Sequence, residues 1–207
     1  MGADRWEAHV HGRSSHAGVA PQEGISASMI ASQAIAEVGR RGYFGQIRKG
    51  RRQGTSNVGT VRGGEASNQV TDYVFVRGES RSHDPAFVKQ ITQTYREAFN
   101  KAAAAVTDDR GRAGKVDFRA DRDYDAFQMP DDSPPVLVAA ACARRMRLRP
   151  LTLTSNGGLD ANYLNAKGIP TVTLGAGQHK PHTIDEFIDI REYLMGCRLL
   201  TEIATTA

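Results

Sequence analysis

The chain has 207 residues, 40% hydrophobic and 24% charged, with a net charge of +4, the balance of a soluble protein of one ordinary or two small domains. No apolar run approaches the ~20 residues of a membrane span, and the opening Met1-Gly2-Ala3-Asp4-Arg5-Trp6 lacks an apolar core, so neither a membrane anchor nor a signal peptide is expected. Two cysteines, Cys142 and Cys197, make no disulfide framework; they read as buried free thiols in a reducing cytoplasm.

Residues 5–11 alternate, with Trp6, Ala8 and Val10 apolar and Arg5, Glu7, His9 and His11 polar, the period of a half-buried strand. A polar, glycine-containing stretch follows over 12–24. Then Ala27, Ile30, Ala31, Ala34 and Val38 recur at helical spacing. The cluster Arg48-Lys49-Gly50-Arg51-Arg52 reads as a solvated loop, since no basic stripe continues from it. Residues 56–62 and 73–76 read as strands. Asp84-Pro85 starts a helix, Asp as N-cap and Pro in the first turn, carrying Val88, Ile91, Tyr95, Ala98 and Ala102 on one face. A strand over 116–121 completes β-α-β-β-α-β, the ferredoxin-like split βαβ arrangement of an α+β domain. Tyr73 and Phe75 suggest an RNA-stacking face, but no Arg-Gly-Phe-Gly-like run accompanies them, so no nucleic-acid partner is expected.

Met129-Pro130-Asp131-Asp132-Ser133-Pro134-Pro135 breaks the pattern and marks a boundary, giving domains at 1–128 and 129–207. Beyond it the spacing predicts a helix over 136–146, a strand over 151–154, a short helix over 160–167, a strand over 171–174 and a last helix with Ile190, Tyr193, Leu194, Cys197, Leu200 and Ala204 on one stripe. Alternating α and β is the pattern of an α/β sheet. Two strands are too few to cover both faces of one, so this part reads as the remnant of a larger layer.

Three stretches in the first domain carry a resemblance. Gly12-Arg13-Ser14-Ser15-His16-Ala17-Gly18-Val19-Ala20-Pro21-Gln22-Glu23-Gly24 follows the pattern G-x-x-x-H-A-G-x-x-P-x-x-G. Gly63-Gly64-Glu65-Ala66-Ser67-Asn68-Gln69-Val70 and Gly78-Glu79-Ser80-Arg81-Ser82 follow in order. In the second domain come Gly157-Gly158-Leu159-Asp160-Ala161-Asn162, Gly168-Ile169-Pro170, Leu174-Gly175-Ala176-Gly177 and His182-Thr183-Ile184-Asp185-Glu186. Together they resemble an M20 zinc metallopeptidase of the peptidase T-like group, over the lid (dimerisation) domain and the C-terminal portion of the α/β catalytic domain.

The resemblance implies that His16 reaches across a homodimer to stabilise the oxyanion in the partner's active site. It assigns substrate hydrogen bonding to Asn68 and capture of a terminal carboxylate to Arg81, whose donor fork suits that shape; an ion pair with Glu79 or Asp84 is the plainer reading of Arg81. His182 is the implied metal ligand in preference to His179, Thr183 and Glu186 suit a helix capping box, and Gly175 and Gly177 would admit a substrate backbone. Asp160 and Asn162 could bind polar groups, or Asp160 could cap a helix. His9 and His11, two apart on a strand, read as an exposed face rather than a metal site.

The implied activity is hydrolysis of small peptides or acyl-amino acids by a two-zinc site, with cobalt or manganese as possible substitutes. Such a site needs about five ligands and a general base. The family's His-x-Asp motif and adjacent Glu-Glu pair are absent from the sequence, so the chain alone is expected to be inactive. The alternative is a non-catalytic dimerisation module.

Overall fold

The computed structural model describes residues 1–206. They fall into two compact units, the first Met1–Ala126 and the second beginning at Phe127. In the first unit, strand β1 (Gly2–His11) leads to helix α1 (Ala27–Arg40), the hairpin β2 (Gly45–Lys49) and β3 (Arg52–Gly63), strand β4 (Tyr73–Ser82), helix α2 (Pro85–Ala105) and strand β5 (Lys115–Tyr124). The sheet order is β2-β3-β4-β1-β5, every neighbour antiparallel. Without β2, the four expected strands stand in the order fourth, first, third, second. The first unit is an α+β domain, one sheet face packed under both helices.

The alternation in β1 does what its period requires. Trp6, Ala8 and Val10 are buried with Ile30, Ala34 and Val38 of α1 and Ile91, Tyr95 and Phe99 of α2, while Arg5 and His11 stay exposed. The Trp6 ring lies 4.4 Å from Tyr95, 5.5 Å from Phe118 and 6.2 Å from Phe99, centroid to centroid. Each such aromatic pair adds about 0.5–1.5 kcal/mol beyond the area it buries. Asp84 caps α2 as expected, its carboxylate accepting from the backbone N–H groups of Ala86 and Phe87.

The basic cluster is a β-hairpin and not a loop. Arg48 and Lys49 end β2, Gly50 (φ 62°) and Arg51 make the turn, and Arg52 opens β3. A single buried residue, Ile47, anchors β2, too little apolar alternation to show a strand in the sequence. β4 also runs six residues past its expected end, because Gly78, Ser80 and Ser82 face the core. Small and hydroxyl residues leave no apolar period, yet Ser82 Oγ donates to the Gln53 carbonyl at 2.5 Å.

In the second unit, helix α3 (Pro134–Arg145), helix α4 (Asp160–Ala166), strands β6 (Gln178–His179) and β7 (Phe187–Ile188) and helix α5 (Ile190–Thr206) are the regular elements. The strands expected over 151–154 and 171–174 do not form; the only ladder among the described residues of this unit is the two-rung pair β6–β7. A strand needs a neighbouring strand for its N–H and C=O groups, and among the described residues no other strand pairs with these segments. Leu151 and Leu153 are 70% and 87% exposed. Helix α5 buries none of its residues: Ile190, Tyr193, Leu194 and Leu200 all lie open. For the same reason Cys197 is exposed, against expectation, while Cys142 is buried in α3.

Beneath the first unit's sheet sits a polar tie. Asp4, 8% exposed, accepts from Arg122 Nε of β5 at 2.6 Å and from Thr92 Oγ1 of α2 at 2.9 Å. Asp4→Ala should cost about 2 kcal/mol, less than for a fully buried pair because Arg122 keeps a third of its side chain in water. Urea unfolding followed by fluorescence of Trp6, the single tryptophan, measures the first unit alone.

Candidate functional site

The β1–β4 register decides where the lid residues stand. It runs from Gly2↔Ser82 to His11↔Tyr73 and continues beyond the strands. Gly12 N–H donates to the Asp72 carbonyl, then, after a one-residue slip, Val70 N–H donates to Ser15 O and Ala17 N–H to Asn68 O. His16 and Gln69 face one another as a β-bridge. The structure therefore brings His16 and Asn68 side by side, both exposed. A shallow groove of about 200 Å³ opens beside them, lined by Gly63, Gly64, Glu65, Gln69, Thr71, Asp72 and Tyr73.

The His16 ring has a defined tautomer. Its Nδ1 accepts from the Gly18 backbone N–H at 3.2 Å. A ring nitrogen that accepts carries no proton, so in the neutral imidazole Nε2 is the donor. That is the form able to offer a hydrogen bond to developing negative charge without itself bearing charge.

Arg81 stands at the other end of the sheet, opposite Ala3. Eight residues of β4 separate it from Tyr73, a rise of about 26 Å, and Asn68 lies further still. Ala3 also pairs with Tyr124, close to where the first unit ends. Arg81 Nη2 donates to Glu79 at 2.8 Å, and this bond, ahead of the opposing effect of burial, raises the guanidinium pKa above its ordinary value. Its Nε is buried with no hydrogen-bond partner among the described residues. Arg81 thus makes the expected ion pair with Glu79.

His9 and His11 lie on the open sheet face, His9 Nδ1 2.8 Å from Tyr73 Oη and the His11 ring 5.4 Å from that of Tyr73. The same face carries the ion pairs Glu7–Arg77 and Asp117–Arg119; the first joins opposite residues of β1 and β4 and follows from their register, and the second joins residues two apart on β5, where the alternation of the strand puts both on one face.

In the second unit, His182 adopts φ 65°, an uncommon conformation for a residue with a side chain, seen most at constrained and functional positions. Its backbone N–H donates to Glu186 Oε2 at 3.1 Å, and Glu186 also accepts from Gln178. Thr183 Oγ1 accepts from the Asp185 N–H. The expected Thr183–Glu186 capping box is therefore a closed turn with no helix after it, Glu186 reaching back one residue further, to His182. His179 is engaged elsewhere, its Nε2 2.9 Å from Glu192 and its ring stacked on Phe187 at 4.8 Å.

Gly175 has open space around its Cα, whereas a Cβ on Gly177 (φ 72°) would meet Glu192 Cβ at 2.8 Å and Asp189 O at 2.9 Å. The approach of α5 thus accounts for Gly177 within the fold itself. Asp160 is not a cap; Leu159 is, and Asn162, buried, turns its Oδ1 back to the Leu159 N–H.

Residues 1–107 match the family model of the peptidase dimerisation domain of M20 enzymes. The chain belongs to the M20 peptidase family. It is 35% identical over 201 residues to the uncharacterised protein YqjE of Bacillus subtilis, covering 97% of this chain and 50% of that protein. Among solved structures it is similar to a tripeptidase of Staphylococcus aureus (32% identity, TM-score 0.79, 98% of this chain and 50% of that one). It is also similar to the aminopeptidase PepT of Bacillus cereus (32%, TM-score 0.75, 98% and 51%). A Bacillus subtilis M20 peptidase described as dinuclear metal-binding shares the fold at 17% identity and TM-score 0.61, over 98% of this chain and 49% of that one. This M20 chain spans about half the length of these relatives.

The metal such enzymes use finds no complete home here. The described residues hold no group of three or more His, Cys, Asp or Glu side chains able to enclose a metal ion. His182 alone falls short of the three or four protein ligands of a single zinc.

The turn around His182 is closed by a carboxylate. The Gln178 hydrogen bond, then the His182 N–H, hold the Glu186 carboxyl below its ordinary value. A carboxylate with a lowered folded pKa stabilises its turn fully above its ordinary value and loses that contribution as pH falls through the folded one. Protection of the His182 amide, its exchange rate measured against the intrinsic rate at each pH, should therefore fall on acidification below the ordinary Glu range, and Glu186→Gln should flatten that dependence; amide exchange by NMR from pH 6 to about pH 3 tests both.

Proposed function

We propose that this chain supplies the lid and a C-terminal portion of the catalytic domain of a metal-dependent M20 peptidase that hydrolyses small peptides or acyl-amino acids. The family, together with similarity to a tripeptidase and to PepT at 32% identity, supports the substrate class. Zinc is the metal we assign, with cobalt or manganese able to substitute. His182 contributes one ligand, and donors from outside this chain complete the set. The half-length match to the relatives and the bare apolar stripe of α5 both support a partner segment that completes the second unit. By itself the chain is then inactive.

The observation that carries the reading of the lid is the separation of its polar residues. His16 and Asn68 are joined at one end of the sheet, and Arg81 lies at the other. A tripeptide spans about 10 Å and cannot touch both ends of one copy. We therefore assign Arg81 to the active site of its own subunit, where it anchors a substrate carboxylate. His16 and Asn68 serve the site of a second copy: His16 offers its Nε2–H to the oxyanion and Asn68 hydrogen-bonds the substrate. Gly175, open around its Cα, lets a substrate backbone lie close. The match to a dimerisation domain supports a homodimer. Free Cys142 and Cys197 support the cytoplasm, and no described helix is long and apolar enough to cross a membrane.

The test uses the chain joined to the metal-binding half of a relative, assayed on a tripeptide. His16→Ala and Arg81→Ala should each abolish turnover. Mixing the two inactive variants should restore about a quarter of wild-type activity, since half of randomly exchanged two-fold dimers carry one intact composite site. Mixtures as dead as the single variants would remove the shared site, and a chain that stays monomeric in sedimentation would leave the lid without its partner. The unjoined 207-residue chain should bind zinc weakly in calorimetry, with binding reduced by His182→Ala and not by His179→Ala.

A further inference from the structure

The loop that carries His16 is fastened by an approach only a glycine permits. Arg13 and Ile25 exchange both backbone hydrogen bonds at 2.9 Å, so the loop closes on itself just past Gly24. A Cβ built on Gly24 would lie 2.4 Å from Ser15 Oγ and 2.9–3.0 Å from Val70 Cγ1 and Cβ. Real Cβ atoms do not approach that closely, and something must shift. The residues that would shift are not arbitrary: Val70 N–H donates to Ser15 O, the rung next to the His16–Gln69 bridge. Gly24 has φ −94°, which any residue adopts, so the constraint on it is space alone. Ser15 Oγ is itself buried with no hydrogen-bond partner among the described residues; its hydroxyl is held there by the fold of the loop and not by a bond of its own.

We infer that Gly24 is a positioning residue for His16: its missing side chain lets Ser15 and Val70 form the rung that holds His16 against Gln69, and so fixes the ring in the Nε2–H tautomer beside Asn68. This rests on the proposed role of His16. A side chain at position 24 pushes Ser15 and Val70 apart, loosens the adjacent bridge, and frees the imidazole from the Gly18 N–H. The ring then samples both tautomers, and the donor loses its fixed aim. Misplacement on the scale of 1 Å is enough to cost about 100-fold in rate at a site built on orientation.

The first experiment needs only the 207-residue chain. Imidazole nitrogen NMR of the wild type should show one His16 tautomer, Nδ1 unprotonated. Gly24→Ala should average the His16 signals toward a mixture of tautomers, leave those of His9 unmoved, and leave Trp6-monitored unfolding near wild type. Replacing Ser15 and Val70 by Ala in the Gly24→Ala background removes Ser15 Oγ and Val70 Cγ1, the two nearest of the colliding atoms, and should return His16 to its single tautomer. In the joined, active form Gly24→Ala should lower kcat by about 10- to 100-fold with little change in KM. Unchanged His16 signals in Gly24→Ala, or no rescue by the compensating pair, would overturn the positioning role. If instead His16→Ala leaves turnover intact while Gly24→Ala still disturbs the ring, the proposed catalytic role of His16 falls and the structural link stands.

Discussion

The antiparallel register of β1 against β4 is the constraint on which the first unit depends. Ten rungs, Gly2↔Ser82 to His11↔Tyr73, place one end of each strand beside the opposite end of the other. The loop after β1 and the segment before β4 must then meet, which is why His16 and Asn68 become neighbours although 52 positions apart in the chain. By the same geometry Arg81, near the end of β4, is carried to the far end of the sheet. A slip of one residue would turn Trp6, Ala8 and Val10 outward and Arg5, Glu7 and His9 inward. The aromatic packing of Trp6 with Tyr95 and Phe118 opposes that slip, so the core that stabilises the domain also holds its polar residues apart.

The two ends of the sheet are prepared differently. At one end His16 is held by backbone bonds, its Nδ1 occupied by the Gly18 N–H and its Nε2 left to donate. At the other, Arg81 has given one arm to Glu79 and keeps a buried, unpaired Nε. The bond to Glu79 orients the guanidinium. A polar group held in place before its ligand arrives pays less ordering entropy on binding.

The second unit leaves much of its apolar surface uncovered. Its extended segments carry exposed Leu151 and Leu153, and α5 presents an uncovered apolar stripe. Exposed apolar surface on that scale marks a site of association. Local hydrogen bonds nevertheless shape its loops: Asn165 ties α4 to Thr171 through both its amide atoms, and Glu186 closes the turn that forces His182 into a left-handed conformation.

The sequence by itself determined the elements whose residues repeat with a clear period or carry a capping signal: β1, α1, α2 with Asp84, α3 and α5. The signature residues were legible too, as residue types in order. Strand β2, the turn that joins it to β3 and the second half of β4 were not, because Ile47 stands alone and Gly78, Ser80 and Ser82 are buried without being apolar. The strands expected over 151–154 and 171–174 had the right composition and failed to form, since a strand is completed by hydrogen bonds to another segment and composition supplies none. Only the tertiary structure decided that His16 and Asn68 share a ladder while Arg81 stands at the opposite end of the sheet. Distance across a sheet follows from register, and register is a property of two strands at once.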